Sequence, residues 1–236
     1  MRQRVQKLMA QAGLCSRRTA EQWMLDGRVT VNGLPARPGE QADPECDCIE
    51  VDGKPLTGDG EKVYLMLNKP EGVVSASTDK RDTTVVDLVG DAYPRRELFP
   101  AGRLDKTSTG FVLLTDDGGF AHDILAPKRH VSKTYTVEID TPLTDEMVEG
   151  FAAGVTLADG TALSPAVVEP VSADNCTVRV LLKQGVYHQI KRMFGVYGAG
   201  VNKLHRDAIG GLALDPALAP GQWRELSDAE VAKITG

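Results

Sequence analysis

A single carboxylate sits between a cation and a run of hydroxyls in Ala101-Gly102-Arg103-Leu104-Asp105-Lys106-Thr107-Ser108-Thr109-Gly110-Phe111. A lone aspartate with no paired acid beside it suits nucleophilic or general-base work. Arg103, two residues earlier, would point the same way on an extended chain. The apolar run 111–114 follows at once, which places Asp105 on a loop at the mouth of a sheet. The same residues also fit a plain turn, with the aspartate satisfying the amides of 107–109. The stretch alone leaves both readings open.

Three other stretches carry usable groups. Lys133-Thr134-Tyr135 puts a lysine and a tyrosine on one side of a strand, where the ring could stack on a base or simply be core. Gln184-Gly185-Val186-Tyr187-His188-Gln189-Ile190-Lys191-Arg192-Met193 reads as a turn entering a basic helix. A lysine at 191 could pair with a buried carboxylate and favour its charged form. His188 reads first as a hydrogen-bonded structural histidine. Asn68-Lys69-Pro70-x-Gly72 is a turn after an apolar strand, and Lys69 could support a site or face solvent.

Elements must position these groups. Val5, Leu8, Met9 and Ala12 recur at helical spacing, and Gly13 is placed to end that helix. Ser16 can cap a second helix with Ala20, Trp23 and Met24 as its buried stripe. Strands are expected at 29–31, running into Asn32-Gly33, and at 49–51, running into Asp52-Gly53. Residues 57–61 read as a linker, which divides the chain into 1–58 and 59–236. The second part shows strand patterns at 63–67, 111–115, 133–139 and 178–182, and helical patterns near 144–153, 187–197 and 227–235. Strands and helices do not alternate regularly, so the expected class is α+β.

Charge is uneven along the chain. The net charge of -6 argues against a protein that coats nucleic acid indiscriminately, yet a local basic patch can still bind RNA. Arg2, Arg4, Lys7, Arg17, Arg18, Arg28 and Arg37 face only Glu21 and Asp26 in the first 37 residues. Two short helices with arginines at their ends can set guanidinium groups at phosphate spacing, or be a solvated face. Cys15, Cys46, Cys48 and Cys176 form no zinc pattern. Four histidines without ligand spacing exclude a metal-dependent nuclease. No apolar run suits a signal peptide or a membrane span, so a reducing cytoplasm is the expected setting.

The first segment resembles an S4 RNA-binding domain. The matching positions are Arg4-x-x-Lys7-Leu8, Gly13, Ser16-Arg17-Arg18-x-Ala20 and Gly27-Arg28-Val29-x-Val31-Asn32-Gly33. The remainder resembles the RsuA-type pseudouridine synthases. Gly102-Arg103-Leu104-Asp105-x-x-Ser108-Thr109-Gly110, Lys133-Thr-Tyr135 and Gly185-x-Tyr-His-Gln-Ile-Lys-Arg-Met193 carry that likeness. Together the two resemblances span nearly the whole chain. They imply a small S4-like module followed by a catalytic domain with a mixed, mainly antiparallel sheet.

The resemblance also implies a chemistry. Asp105 would attack a flipped-out uridine at C6 or C1′, without cofactor or metal. Tyr135 would stack on the uracil and assist loss of the C5 proton, and Lys191 would pair with Asp105. Arg103 would fill the vacated space or hold a phosphate, and Leu182 would form apolar wall. Lys69, His188 and Arg192 would touch substrate RNA, and Arg4, Lys7, Arg17, Arg18 and Arg28 would grip RNA through the S4 module. Three positions depart from the pattern. Gln184-Gly185-Val186 stands where acid-Gly-base is usual, Phe111 where leucine is usual, and Lys106 where apolar or acidic residues are common.

Thr115-Asp116-Asp117-Gly118-x-Phe120-Ala121-His122, Leu163-Ser164-Pro165-Ala166-Val167 and Leu214-Asp215-Pro216-x-Leu218-Ala219-Pro220-Gly221 resemble members that act on the small ribosomal subunit. The expected substrate is therefore 16S rRNA, met as a ribosome-assembly intermediate by a monomer. Large-subunit rRNA is the nearest alternative. A non-catalytic assembly factor, which would keep the S4 arginines without needing Asp105, is the rival from another class.

Overall fold

The computed structural model describes residues 2–44, 46–56, 62–93, 96–126 and 131–236. The expected linker 57–61, and with it the boundary between 58 and 59, lies outside the described residues.

The N-terminal module forms around helices α1 (Val5–Gln11) and α2 (Arg17–Leu25). Gly13 ends the first helical segment with φ +68, and the Ser16 hydroxyl caps the second by accepting from Thr19 N at 3.1 Å. Val29–Val31 pairs with Ile49–Val51, and each enters a tight turn, through Asn32-Gly33 and Asp52-Gly53, with positive φ at both turn residues. That is the turn geometry whose twist suits a hairpin. Val5, Met9, Ala20, Met24, Val29 and Val51 close a core of their own. Trp23, expected in the buried stripe, is only half-buried and carries the Arg28 guanidinium 4.3 Å above its ring.

The second part is built on one large sheet. Its strands run Val167–Pro170, Thr177–Leu182, Lys133–Ile139, Val201–Ile209, Thr109–Thr115, Tyr64–Lys69 and Trp223–Glu225 in spatial order. Every neighbouring pair is antiparallel except Val201–Ile209 with Thr109–Thr115, which is parallel. The sheet is thus mixed and mainly antiparallel, and the protein is α+β. Consecutive side chains alternate between its faces. Leu65, Leu67, Val112 and Leu114 join a core covered by helices α4 (Asp145–Ala153) and α5 (Gln189–Val196). Met66, Phe111 and Leu113 join a smaller core beneath α3 (Gly118–Leu125) and α6 (Asp228–Thr235).

Helix α3 and the strands 167–170 and 201–209 are not among the elements expected from periodicity. Val201–Ile209 carries Asn202, Lys203, His205, Arg206 and Asp207, so it lacks the apolar run of a central strand. Arg206 occupies a buried position there by giving its Nε–H to Phe111 O at 2.6 Å.

The two parts meet near Gly13. Glu97 accepts from Ser16 N, and within the second part Arg96 pairs with the buried Asp116 at 2.7 Å beside Gly13.

Candidate active site

Asp105 lies on the loop between Phe99–Pro100 and Thr109–Thr115, and that loop is pinned at several points. The Ser75 hydroxyl donates to Leu104 O at 2.9 Å and accepts from Leu104 N at 3.0 Å. Gly72 N donates to Lys106 O at 2.8 Å, and Ser108 N donates back to Asp105 O at 3.0 Å. Leu104 and Ser108 are buried on either side of Asp105, while Arg103, Lys106 and Thr107 point outward. Asp105 itself stays partly open, its side chain 30% exposed.

Beneath the loop lies Lys69, with no exposed surface. Its ammonium donates to Ser108 O at 2.6 Å, to Pro70 O at 3.0 Å and to Lys106 O at 3.4 Å. Burial pulls its pKa down to about 8, against an opposing pull from Asp105. Lys69 is therefore a support for the loop rather than the RNA-facing group expected of it, because all three of its donors are turned inward onto carbonyls.

Helix α5 closes the site from the other side. His188 stands at its N-terminal end in the left-handed conformation, φ +52. That is an uncommon backbone for a residue with a Cβ. His188 and Lys191 are three residues apart, so one helical turn brings both to the same side. His188 Nε2 lies 3.3 Å from Asp105 Oδ1, and Lys191 Nζ lies 3.4 Å from Oδ2. Lys191 also donates to Thr107 Oγ1 at 3.1 Å. The local pattern around His188 favours a structural histidine, and nothing near it in the chain announces its approach to Asp105.

The remaining candidates divide. Tyr135 is buried at the margin of the main core, opposite Arg206 on the neighbouring strand. Lys133, expected on the same side, instead turns its ammonium to Val131 O at 2.8 Å. Burial, followed by the nearby Arg206 charge, lowers its pKa. Leu182 is buried and pairs with Lys133 across the strands. Arg103 is exposed and makes no ion pair among the described residues. Arg192 pairs with the exposed Asp159. Lys106 reaches Asp82 at 2.6 Å.

Among the S4 candidates, Arg4, Arg17 and Arg18 are exposed and Lys7 is half-buried. Arg17 and Arg18 lie in the first turn of α2, where the helix dipole disfavours cations and favours an anion. Arg28 differs from expectation. Its Nε donates to Asp52 Oδ1 at 2.9 Å and its Nη2 pairs with Oδ2 at 2.5 Å, which leaves it a structural tie first. No helix among the described residues is long and apolar enough to cross a membrane.

Residues 3–46 match the S4 domain model, and residues 63–195 match that of RNA pseudouridylate synthases. The uncharacterized RNA pseudouridine synthase YtzG of Bacillus subtilis is 42% identical, covering 97% of this chain and 96% of its own. The ribosomal small subunit pseudouridine synthase A of Escherichia coli K12 is 40% identical, covering 98% of this chain and 99% of its own. A crystal structure of a pseudouridylate synthase superposes with a TM-score of 0.72 at 35% identity, covering 98% of this chain and 99% of that one. With an S4 domain at its N-terminal end and the synthase fold behind it, the chain belongs to the RNA pseudouridine synthases of the RsuA type, enzymes that isomerise uridine within RNA.

Proposed function

We propose that this chain converts one uridine of 16S ribosomal RNA to pseudouridine, with Asp105 as the nucleophile and the target base turned out of the RNA stack. The observation that carries the reading is Asp105, held at the surface by a pinned loop with His188 and Lys191 on its two oxygens. The 16S assignment draws on the end-to-end likeness to the small-subunit enzyme of Escherichia coli.

The chemistry is an isomerisation, so the product has the same atoms as the substrate. Asp105 attacks C1′ or C6 of the uridine. In the C1′ route, the bond from Asp105 to C1′ forms as the C1′–N1 bond breaks and the uracil leaves as an anion. The uracil turns, C5 attacks C1′, and the carboxylate departs. The C5 proton is then removed and N1 takes one up. The base must leave the stack before Asp105 can reach it.

Tyr135 stacks on the uracil and assists transfer of the C5 proton to solvent, and Leu182 supplies apolar wall. Arg103, without an ion pair among the described residues, holds a backbone phosphate or fills the gap left by the base. Residues up to 58 form the RNA-gripping module, through Arg4, Lys7, Arg17 and Arg18, and residues from 59 onward form the catalytic domain. The enzyme acts as a cytoplasmic monomer on a ribosome-assembly intermediate.

Carbodiimide mapping of pseudouridines on unmodified 16S and 23S RNA, naked and partly assembled, tests the reading with Asp105→Asn alongside. A new stop in 16S that is absent with the variant is the expected result. A stop confined to 23S overturns the target, and a stop that persists with Asp105→Asn overturns the nucleophile.

A further inference from the structure

Tyr187 is more exposed, at 75%, than any other large apolar side chain among the described residues. Single exposed apolar residues are ordinary on protein surfaces. This one is unusual in where it stands and how it is held. Its ring lies almost parallel to the His188 imidazole, with 3.8 Å between centroids and 17° between planes. His188 in turn touches Asp105 at 3.3 Å. One face of the tyrosine is therefore covered, while the side chain as a whole stays open to solvent at the edge of the catalytic loop.

The backbone around it is built for that presentation. Val186 packs against the main core, and Val186 N donates to Gln189 Oε1 at 3.0 Å, which anchors the turn just before the ring. His188 adopts its left-handed backbone immediately after. Such a backbone at a residue with a Cβ persists only where the surroundings enforce it, and it gathers at functional sites. Gly185 has nothing within 4 Å of where a Cβ would stand, so the space beside the turn is open. The turn itself, Gln184-Gly185-Val186, contributes no charge to hold a phosphate. What it offers RNA is an aromatic face.

An RNA that turns one base out of its stack leaves the neighbouring bases each with a bare face. Aromatic side chains cover such faces without regard to base identity. We infer that Tyr187 is a stacking platform for a nucleotide adjacent to the target uridine, holding the RNA open while Asp105 works. The inference rests on Asp105 marking the catalytic site, and it adds a substrate-positioning residue that the chemistry at Asp105 does not itself require.

The test measures binding without turnover. The full chain carrying Asp105→Asn is titrated with unmodified 16S and 23S transcripts in excess transfer RNA, across a range of salt. The more tightly bound transcript serves as reference. Tyr187→Leu is expected to weaken binding at least fivefold, about the low end for removing one stacking partner. The slope of affinity against salt should stay unchanged, since an aromatic side chain releases no counterions. Tyr187→Phe should restore the affinity.

Equal affinity of the Tyr187→Leu and native-ring chains overturns the inference. So does a Tyr187→Leu variant with native Asp105 that binds normally and is reduced only in kcat, measured by tritium release from C5-labelled RNA, because the ring would then merely hold His188. If Asp105→Asn still turns over, the nucleophile reading fails by itself and the binding comparison still decides the role of Tyr187.

Discussion

Lys191 Nζ stands 3.4 Å from Asp105 Oδ2, so the first turn of a helix meets a loop from far earlier in the chain. The lysine does not meet the carboxylate alone, because it also donates to Thr107 Oγ1. Loop and helix are thereby locked together at the candidate carboxylate. His188 takes the other oxygen, and the side of Asp105 away from them stays open.

Replacing Lys191 by methionine keeps the length of the side chain and removes the charge. The pair is partly exposed, so solvent screening reduces its contribution to about 1 kcal/mol, which is roughly fivefold in rate. Tritium release from C5-labelled RNA should show kcat reduced about fivefold with KM little changed. A rise in KM alone would instead make Lys191 an RNA anchor.

Gly110 admits no substitute. Its φ is +101, and a Cβ there would lie 2.4 Å from Arg206 O and 2.7 Å from Arg206 N. The parallel pairing of Gly110 with Arg206 brings two backbones together at the end of the loop that carries Asp105. Gly110→Ala combines a strained backbone with overpacking and should destabilise the protein by about 3 kcal/mol or more. Chemical denaturation would report it, and a midpoint unchanged from the native chain would contradict the packing described.

Lys69 carries a pH signature. Its pKa falls from the ordinary 10.5 to about 8 because it is buried. Between those values the unfolded chain holds more of this proton than the folded one, so stability from this group rises with pH across that window. The stability of the native protein relative to Lys69→Met should therefore rise from pH 8 to 10.5. Thermal melts of both chains at each pH would test it, and a relative stability that falls over that range would contradict the assignment.

The S4 helix makes an electrostatic prediction. Arg17 and Arg18 are exposed in the first turn of α2 and are proposed to neutralise phosphates. Replacing both with alanine should weaken RNA binding and flatten its salt dependence, by roughly 0.7–0.9 in the logarithmic slope for each phosphate no longer neutralised. Asp105→Asn should leave the slope intact. Unchanged binding in the double variant would refute the role of that helix.

Local physics makes much of this protein legible from its sequence. The Ser16 cap, the two turns with Asn32-Gly33 and Asp52-Gly53, the strand Lys133–Ile139 and helices α4 and α6 follow from spacing, capping and turn chemistry within a few residues. The motif around Asp105 likewise points to the residue on which the candidate site is built. Where each charge goes is another matter. Lys69 turns inward, Arg28 binds Asp52, Arg192 binds Asp159, and His188 comes to Asp105. Each of these choices depends on a partner brought near by folding, often dozens of residues away, and Coulomb attraction and burial act on distance in space. The strand Val201–Ile209 shows the same limit, since its polar residues conceal a central position in which the buried Arg206 donates to Phe111 O. Sequence determined most of the elements and the candidate carboxylate, whose signals are short-range. The tertiary structure decided which cations surround that carboxylate, because only packing sets those distances.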